Sequence, residues 1–180
     1  MIILGIDPGT ATTGWGTIKI QNSKFKIQNW SKNKQKAKSE KPIALIDYGC
    51  ISTLKEWGMG RRLVYLRKSL RRLLGQLKPD IACVEEHFFG KNRKTALVVS
   101  QARGVILEAV ATSKIPIFEY AGFKIKETLT GQRYAKKKQV ETAVKKFLGK
   151  RKLQKPNNGF LDDAVDGLAI AIHHAITIGN

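Results

Sequence analysis

Gly5-Ile6-Asp7-Pro8-Gly9-Thr10 closes the apolar run Met1-Ile2-Ile3-Leu4 and is followed by Gly14-Trp15-Gly16. An apolar strand with no room for a charge here carries an aspartate just where it stops, and glycines around it let other groups approach the backbone closely. A carboxylate in that position must be hydrogen-bonded, paired with a cation or bound to metal, because an unpaired buried charge is too costly. Taken alone, Asp-Pro-Gly is also an ordinary turn. The other carboxylates decide between the two readings.

Working outward, residues 1–7 and about 13–20 form a hairpin pattern. Lys19-Ile20-Gln21-Asn22 recurs as Lys26-Ile27-Gln28-Asn29, and the polar, lysine-rich stretch to Pro42 reads as an insertion over about 21–42, too poor in apolar residues to order Ser31–Lys41. Ile43–Thr53 resumes a strand. After Gly58-Met59-Gly60, leucines 63, 66, 70, 73, 74 and 77 recur at helical spacing among arginines, a face for a sheet with its basic side in water.

Ile81-Ala82-Cys83-Val84 has the short apolar form of a strand buried on both faces and ends in Glu85-Glu86-His87. Strand alternation sends Glu85 and Glu86 to opposite faces, so only one of them reaches Asp7. From about Asn92 to Ser113 the pattern is helical, with apolar residues on more than one face. That predicts two packing partners, the sheet and a second copy of the chain, hence a homodimer. Ile115–Tyr120 is the fifth strand. Lys124–Lys155 reads as helical and basic, and Lys136, Lys137 and Lys138 face either water or phosphate. The last helix starts near Phe160 and carries Asp162, Asp163 and Asp166 in its first two turns; either of the first two pairs with Asp166 on one side.

The 180 residues are most simply one domain over 1–180, with a formal charge of +19 that points to an anionic partner, nucleic acid first. Carboxylates gathered in so basic a chain would repel each other and DNA. A divalent cation removes both objections, and oxygen-only ligands suit Mg²⁺ or Mn²⁺. The three histidines lack zinc-site spacing, and Cys50 and Cys83 read as core residues in a reducing compartment. Without a signal-peptide pattern or a membrane-length apolar run, the expected location is the cytoplasm.

Ile3-Leu4-Gly5-Ile6-Asp7-Pro8-Gly9-Thr10 with Gly14 and Gly16 resembles the opening of the RuvC family, the bacterial Holliday junction resolvases. Further segments match in the same order. They are Val84-Glu85 with Phe88 and Lys91-Asn92, Gln101-Ala102-Arg103-Gly104, Phe118-Glu119-Tyr120-Ala121, and Asp163-Ala164-Val165-Asp166 with Leu168-Ala169-Ile170-Ala171. The resemblance spans the chain except about 21–42. It implies an α/β, RNase H-like fold: a five-stranded mixed sheet with helices on both faces. It also implies a homodimer making paired nicks in four-way junction DNA in recombination and repair, with Asp7, Glu85, Asp163 and Asp166 holding two Mg²⁺ per active site. Phe88, Lys91, Lys126 and Lys137 match the segments that meet DNA, and RuvA and RuvB are the implied partner proteins. Glu86 and Asp162 are acids beyond the family pattern, so geometry alone leaves Asp162 and Asp163 open. Two other readings also stay open. One is a non-catalytic basic nucleic-acid-binding protein; the other is an actin-like nucleotide-binding protein, whose phosphate loop Asp7-Pro8-Gly9-Thr10 also resembles.

Overall fold

Five apolar runs become strands, and their order in space brings together acids that lie far apart in sequence. The computed structural model describes residues 1–21, 43–86, 93–150, 152–157 and 159–178. Most of the lysine-rich insertion, with Phe88 and Lys91, lies outside them.

Strand β1 (Ile2–Asp7) is central. It pairs antiparallel with β2 (Thr12–Ile20) on one side and parallel with β4 (Ile81–Glu86) on the other. Strand β3 (Ile43–Ser52) adds antiparallel to β2, and β5 (Ile117–Ala121) adds parallel to β4, giving the order β3-β2-β1-β4-β5. This is the mixed five-stranded sheet expected.

Alternation sorts the strand residues onto two cores. Ile3, Ile18 and Cys83 pack with helices α3 (Gly122–Thr130), α4 (Lys137–Leu148) and α5 (Leu161–Thr177) through Ile125, Val144 and Leu168. Leu4, Ile6, Ala82 and Val84 pack with helices α1 (Met59–Leu77) and α2 (Arg93–Thr112) through Leu66, Leu70 and Ile106. Helices therefore cover both faces. The leucine stripe of α1 is its buried side, as its spacing predicts. On α2 the buried residues are Ala102, Ile106, Ala109 and Val110, while Leu97 is exposed. An ion pair from Arg103 on α2 to Glu119 on β5 ties two of the resembling segments together.

The basic stretch from Lys124 is interrupted. Gly131, at φ 74, ends α3 in the left-handed conformation, and its N–H donates to the Glu127 carbonyl. After a short turn, the Lys136 N–H donates to the Gln139 side chain at 2.7 Å to start α4. His173 and His174 are buried near the end of α5 against Tyr120 and Phe118. Burial pushes His173 down to about 4, so both rings serve as neutral packing groups. Among the described residues, no helix is long and apolar enough to cross a membrane.

Helix α5 lies unusually close to the sheet. A Cβ at Gly5 would stand 2.6 Å from the Ala171 backbone nitrogen, and one at Gly16 would stand 2.6 Å from that of Leu168. Only glycine fits where strand and helix backbones meet in this way. The close contact sets how near the aspartates of α5 come to the end of β1.

Candidate metal centre

Asp7 is the last residue of β1, and the turn after it is held from two sides. The Thr13 hydroxyl donates to the Gly9 carbonyl and the Thr53 hydroxyl to the Thr10 carbonyl, each at 2.7 Å. Strand parity puts Asp7 on the face of Ile3, toward α5. In the β1/β4 register Ile6 is opposite Val84, so Glu85 follows beside Asp7 on the same face. Alternation assigns Glu86 to the opposite strand face, and at the end of β4 it still borders the same cavity as Glu85.

Asp163 and Asp166 come to this point from the first two turns of α5. With Asp7 they each offer a carboxylate oxygen, and all three atoms lie within 4.8 Å of one another. Glu85 joins the group through a hydrogen bond between its carboxyl and that of Asp7. Asp162 turns aside: its carboxylate is largely exposed and stands 3.8 Å from the Lys137 ammonium. Lys137 therefore sits at the rim of the acids from α4, and Lys126 of α3 acts on both Glu85 and Asp166.

Electrostatics mark the group as incomplete without a cation. Burial, then the charge of Asp7 and more weakly that of Asp163, push Asp166 up to about 7, against the opposing pull of Lys137 and Lys126. Burial also raises Asp163 and Glu85. Three aspartates and a glutamate, half-buried and mutually repelling, are a donor set of hard oxygens that suits a divalent ion such as Mg²⁺ or Mn²⁺. Cys50 is no rival ligand. Burial, reinforced by Asp163, pushes its thiol up to about 11, and its Sγ donates to the Phe160 carbonyl.

A stability prediction follows for the metal-free protein. The pKa of Asp166 in the folded state, about 7, lies above the ordinary 3.8. The folded protein thus holds an extra proton between those values. Its stability is full below the window and declines as pH rises through it. Asp166→Asn removes the share of that decline that Asp166 contributes. With water screening allowed for, the gain at pH ~8 is about 2 kcal/mol, or roughly 5 °C in Tm, and it vanishes near pH ~4. Thermal melts in chelator at the two pH values check this; an equal or lower Tm for the variant at the higher pH would refute it.

The start of α3 and the turn that follows Gly131 contribute residues the sequence reading passes over. Phe123, Arg133 and Tyr134 line a cavity that has Glu85 and Lys126 in its wall. An arginine and an aromatic two and three residues after a helix-ending glycine are the available signal.

Comparison with known proteins identifies the family. The family model described as "Crossover junction endodeoxyribonuclease RuvC" matches residues 3–174. The chain is 41% identical to a protein of that name from Chloroflexus aurantiacus, over 98% of this chain and 94% of the relative. It is 40% identical to another from Syntrophomonas wolfei, over 97% and 88%. Among solved structures, Thermus thermophilus RuvC superposes with a TM-score of 0.76 at 26% identity, covering 98% of this chain and 94% of that one. A second structure of the T. thermophilus protein, in complex with a Holliday junction substrate, gives 0.78 at 24% identity and the same coverage, a likeness of fold. With an RNase H-like sheet delivering its acids to one end, and with relatives matched along almost their whole length, the chain belongs to the RuvC family of crossover junction endodeoxyribonucleases.

Proposed function

We propose that this protein is a metal-dependent endonuclease that resolves four-way DNA junctions by paired nicks, acting as one nuclease domain in the cytoplasm. The observation that carries the reading is the meeting of Asp7, Asp163 and Asp166 within 4.8 Å on a chain of net charge +19. A merely basic binding protein has no use for buried, mutually repelling acids. An actin-like reading leaves the acids of α5 without a task.

Asp7, Asp163 and Asp166 are the residues to hold one Mg²⁺, and Asp7 with Glu85 the residues to hold a second. Two such ions, when bound, supply an activated water for in-line attack and stabilise the leaving 3′ oxygen, so that a 5′-phosphate results. The remaining work belongs to the chain itself. β1 and β4 fix Asp7 and Glu85 side by side, and α5 holds its two aspartates one turn apart. Lys126 and Lys137 flank the acids and meet the phosphate backbone, which carries the strand to the centre against the carboxylates' own repulsion. Phe88 and Lys91 are assigned to DNA contact by their place in the family pattern.

A second copy of the chain docks on the α1/α2 side, where Val64, Tyr65 and Leu97 are exposed. Two centres at a fixed separation match an opened junction and not a straight duplex. RuvA and RuvB are the proposed partners that would deliver such a junction.

The test is cleavage of a synthetic four-way junction against a matched linear duplex, in Mg²⁺ or in chelator. Symmetric nicks in the junction alone, lost in chelator, are the expected result. Junction binding without cleavage in either Mg²⁺ or Mn²⁺ would mean a binding protein on a nuclease fold. Binding is carried by Lys and Arg contacts to phosphates, so raising salt from roughly 50 to 200 mM should weaken it by about a thousandfold. A titration showing no salt slope would count against phosphate contacts as the source of affinity.

A further inference from the structure

Beside the acids lies a cavity of about 380 Å³ whose wall is formed by Glu85 and Glu86 at the end of β4, by Gly122, Phe123 and Lys126 of α3, and by Arg133 and Tyr134. Its chemistry differs from that of the metal centre. The Arg133 guanidinium lies over the Phe123 ring, 3.9 Å from its centroid. Stacked this way, it presents its opposite planar face outward. Tyr134 follows at once, 86% exposed. A tyrosine placed there buries almost no apolar surface and so contributes little to folding.

The backbone that carries it is nevertheless an ordered turn. The Gln132 N–H donates to the Thr130 hydroxyl at 3.1 Å, the Gln132 side-chain carbonyl accepts from Gln139 at 2.9 Å, and the next residue, Ala135, is buried. An exposed ring carried on an ordered turn, next in sequence to a stacked guanidinium, is a platform for a flat, π-faced group. Lys126 adds a cation for an attached phosphate.

We propose that this cavity is a nucleobase subsite. It takes one unstacked base, from a nucleotide flanking the scissile phosphate, between the Tyr134 ring and the Arg133–Phe123 stack, with Lys126 on the backbone. The inference rests on the nuclease reading above, because Glu85, hydrogen-bonded to Asp7, also forms part of this wall. A phosphate held over the acids brings its neighbouring base within reach of the cavity. Taking a base out of a stack costs least where pairing is already interrupted, as at the crossing point of a junction. The subsite therefore favours junctions over duplex by the same contact that positions the strand. Stacking accepts every base, with modest preferences among them.

The experiment pairs a change in the ring with a change in the base. Single-turnover nicking in Mg²⁺ is measured for wild type, Tyr134→Ala and Tyr134→Phe. The substrates are a junction with intact bases and junctions carrying an abasic residue on one or the other side of the cut. On intact DNA, Tyr134→Ala slows nicking by about tenfold, and Tyr134→Phe restores most of the rate. On the junction abasic at one flank, the same Tyr134→Ala change costs less than about twofold, because ring and base act as one contact. Equal rates for Tyr134→Ala and wild type on intact DNA overturn the subsite, as do losses that multiply at both flanks. A wild-type protein that does not nick the intact junction overturns the nuclease reading itself, and the subsite with it.

Discussion

Asp7→Asn should cut metal-dependent nicking by at least about a thousandfold while leaving junction binding in chelator within about twofold of wild type. The asymmetry follows from where Asp7 sits. It ends the central strand, shares a hydrogen bond with Glu85 and lies within 4.8 Å of the α5 aspartates, so it is the one acid common to both halves of the group. Asparagine keeps its shape and removes its charge, leaving Asp163 and Asp166 without the third oxygen anion that a divalent ion needs. On the reading proposed above, affinity for DNA comes instead from Lys and Arg contacts to phosphate, and the change leaves all 33 Lys and Arg residues in place. The Asp7 charge also contributes to the rise of Asp166, so Asp166 in the variant should titrate lower. Asp162→Asn is the control. Its carboxylate faces Lys137 and water, and its nicking rate should stay within about twofold. Near-normal cleavage by Asp7→Asn would remove the carboxylate centre from the mechanism. A loss in Asp162→Asn as large as in Asp163→Asn would exchange the roles of those two neighbours.

Asp162 and Asp163 also show where sequence reading stops. The period of a strand is two, so Cys83 buried on one side already implies Glu85 on that side, and there the Glu85 carboxyl meets that of Asp7. Helix geometry is less selective: residues three and four apart both neighbour Asp166. The choice is made by the surface on which α5 rests, where the Asp163 backbone lies directly on Gly14 of β2. No local pattern contains that contact. The leucines of α1 were legible for the same reason as Glu85, since a period and a burial side are all that they require. In the basic, helical stretch Lys124–Lys155 the charges mask the break. The left-handed Gly131 divides it, and the turn so created sets Arg133 over Phe123. That contact joins residues ten apart in sequence with no repeat to announce it. The candidate homodimer face lay in apolar residues left over on α2, of which the exposed Leu97 is one.

Gly167→Ala opposes two of these rules and should be decided by packing. In an isolated helix the change would stabilise by about 1 kcal/mol, because alanine is the better helix former. Here a Cβ on residue 167 would stand 2.5 Å from the Trp15 Cα and 2.7 Å from the Gly16 nitrogen. These are backbone atoms of β2, a strand paired on both sides, so they cannot turn away as a flexible side chain would. The helix must lift, and overpacking of this kind costs about 3 kcal/mol. The net effect is about 2 kcal/mol of destabilisation, a fall of roughly 5 °C in Tm. Activity should fall further than stability. Asp166 is the adjoining residue and Asp163 lies one turn before it, so any lift of α5 carries both carboxylates away from Asp7, and a displacement of about 1 Å at a catalytic group costs on the order of a hundredfold in rate. Thermal melts and single-turnover nicking of the same preparation check both parts. A higher Tm for Gly167→Ala would mean that the helix does not rest on β2 as closely as described, and the position of its aspartates would then need another cause.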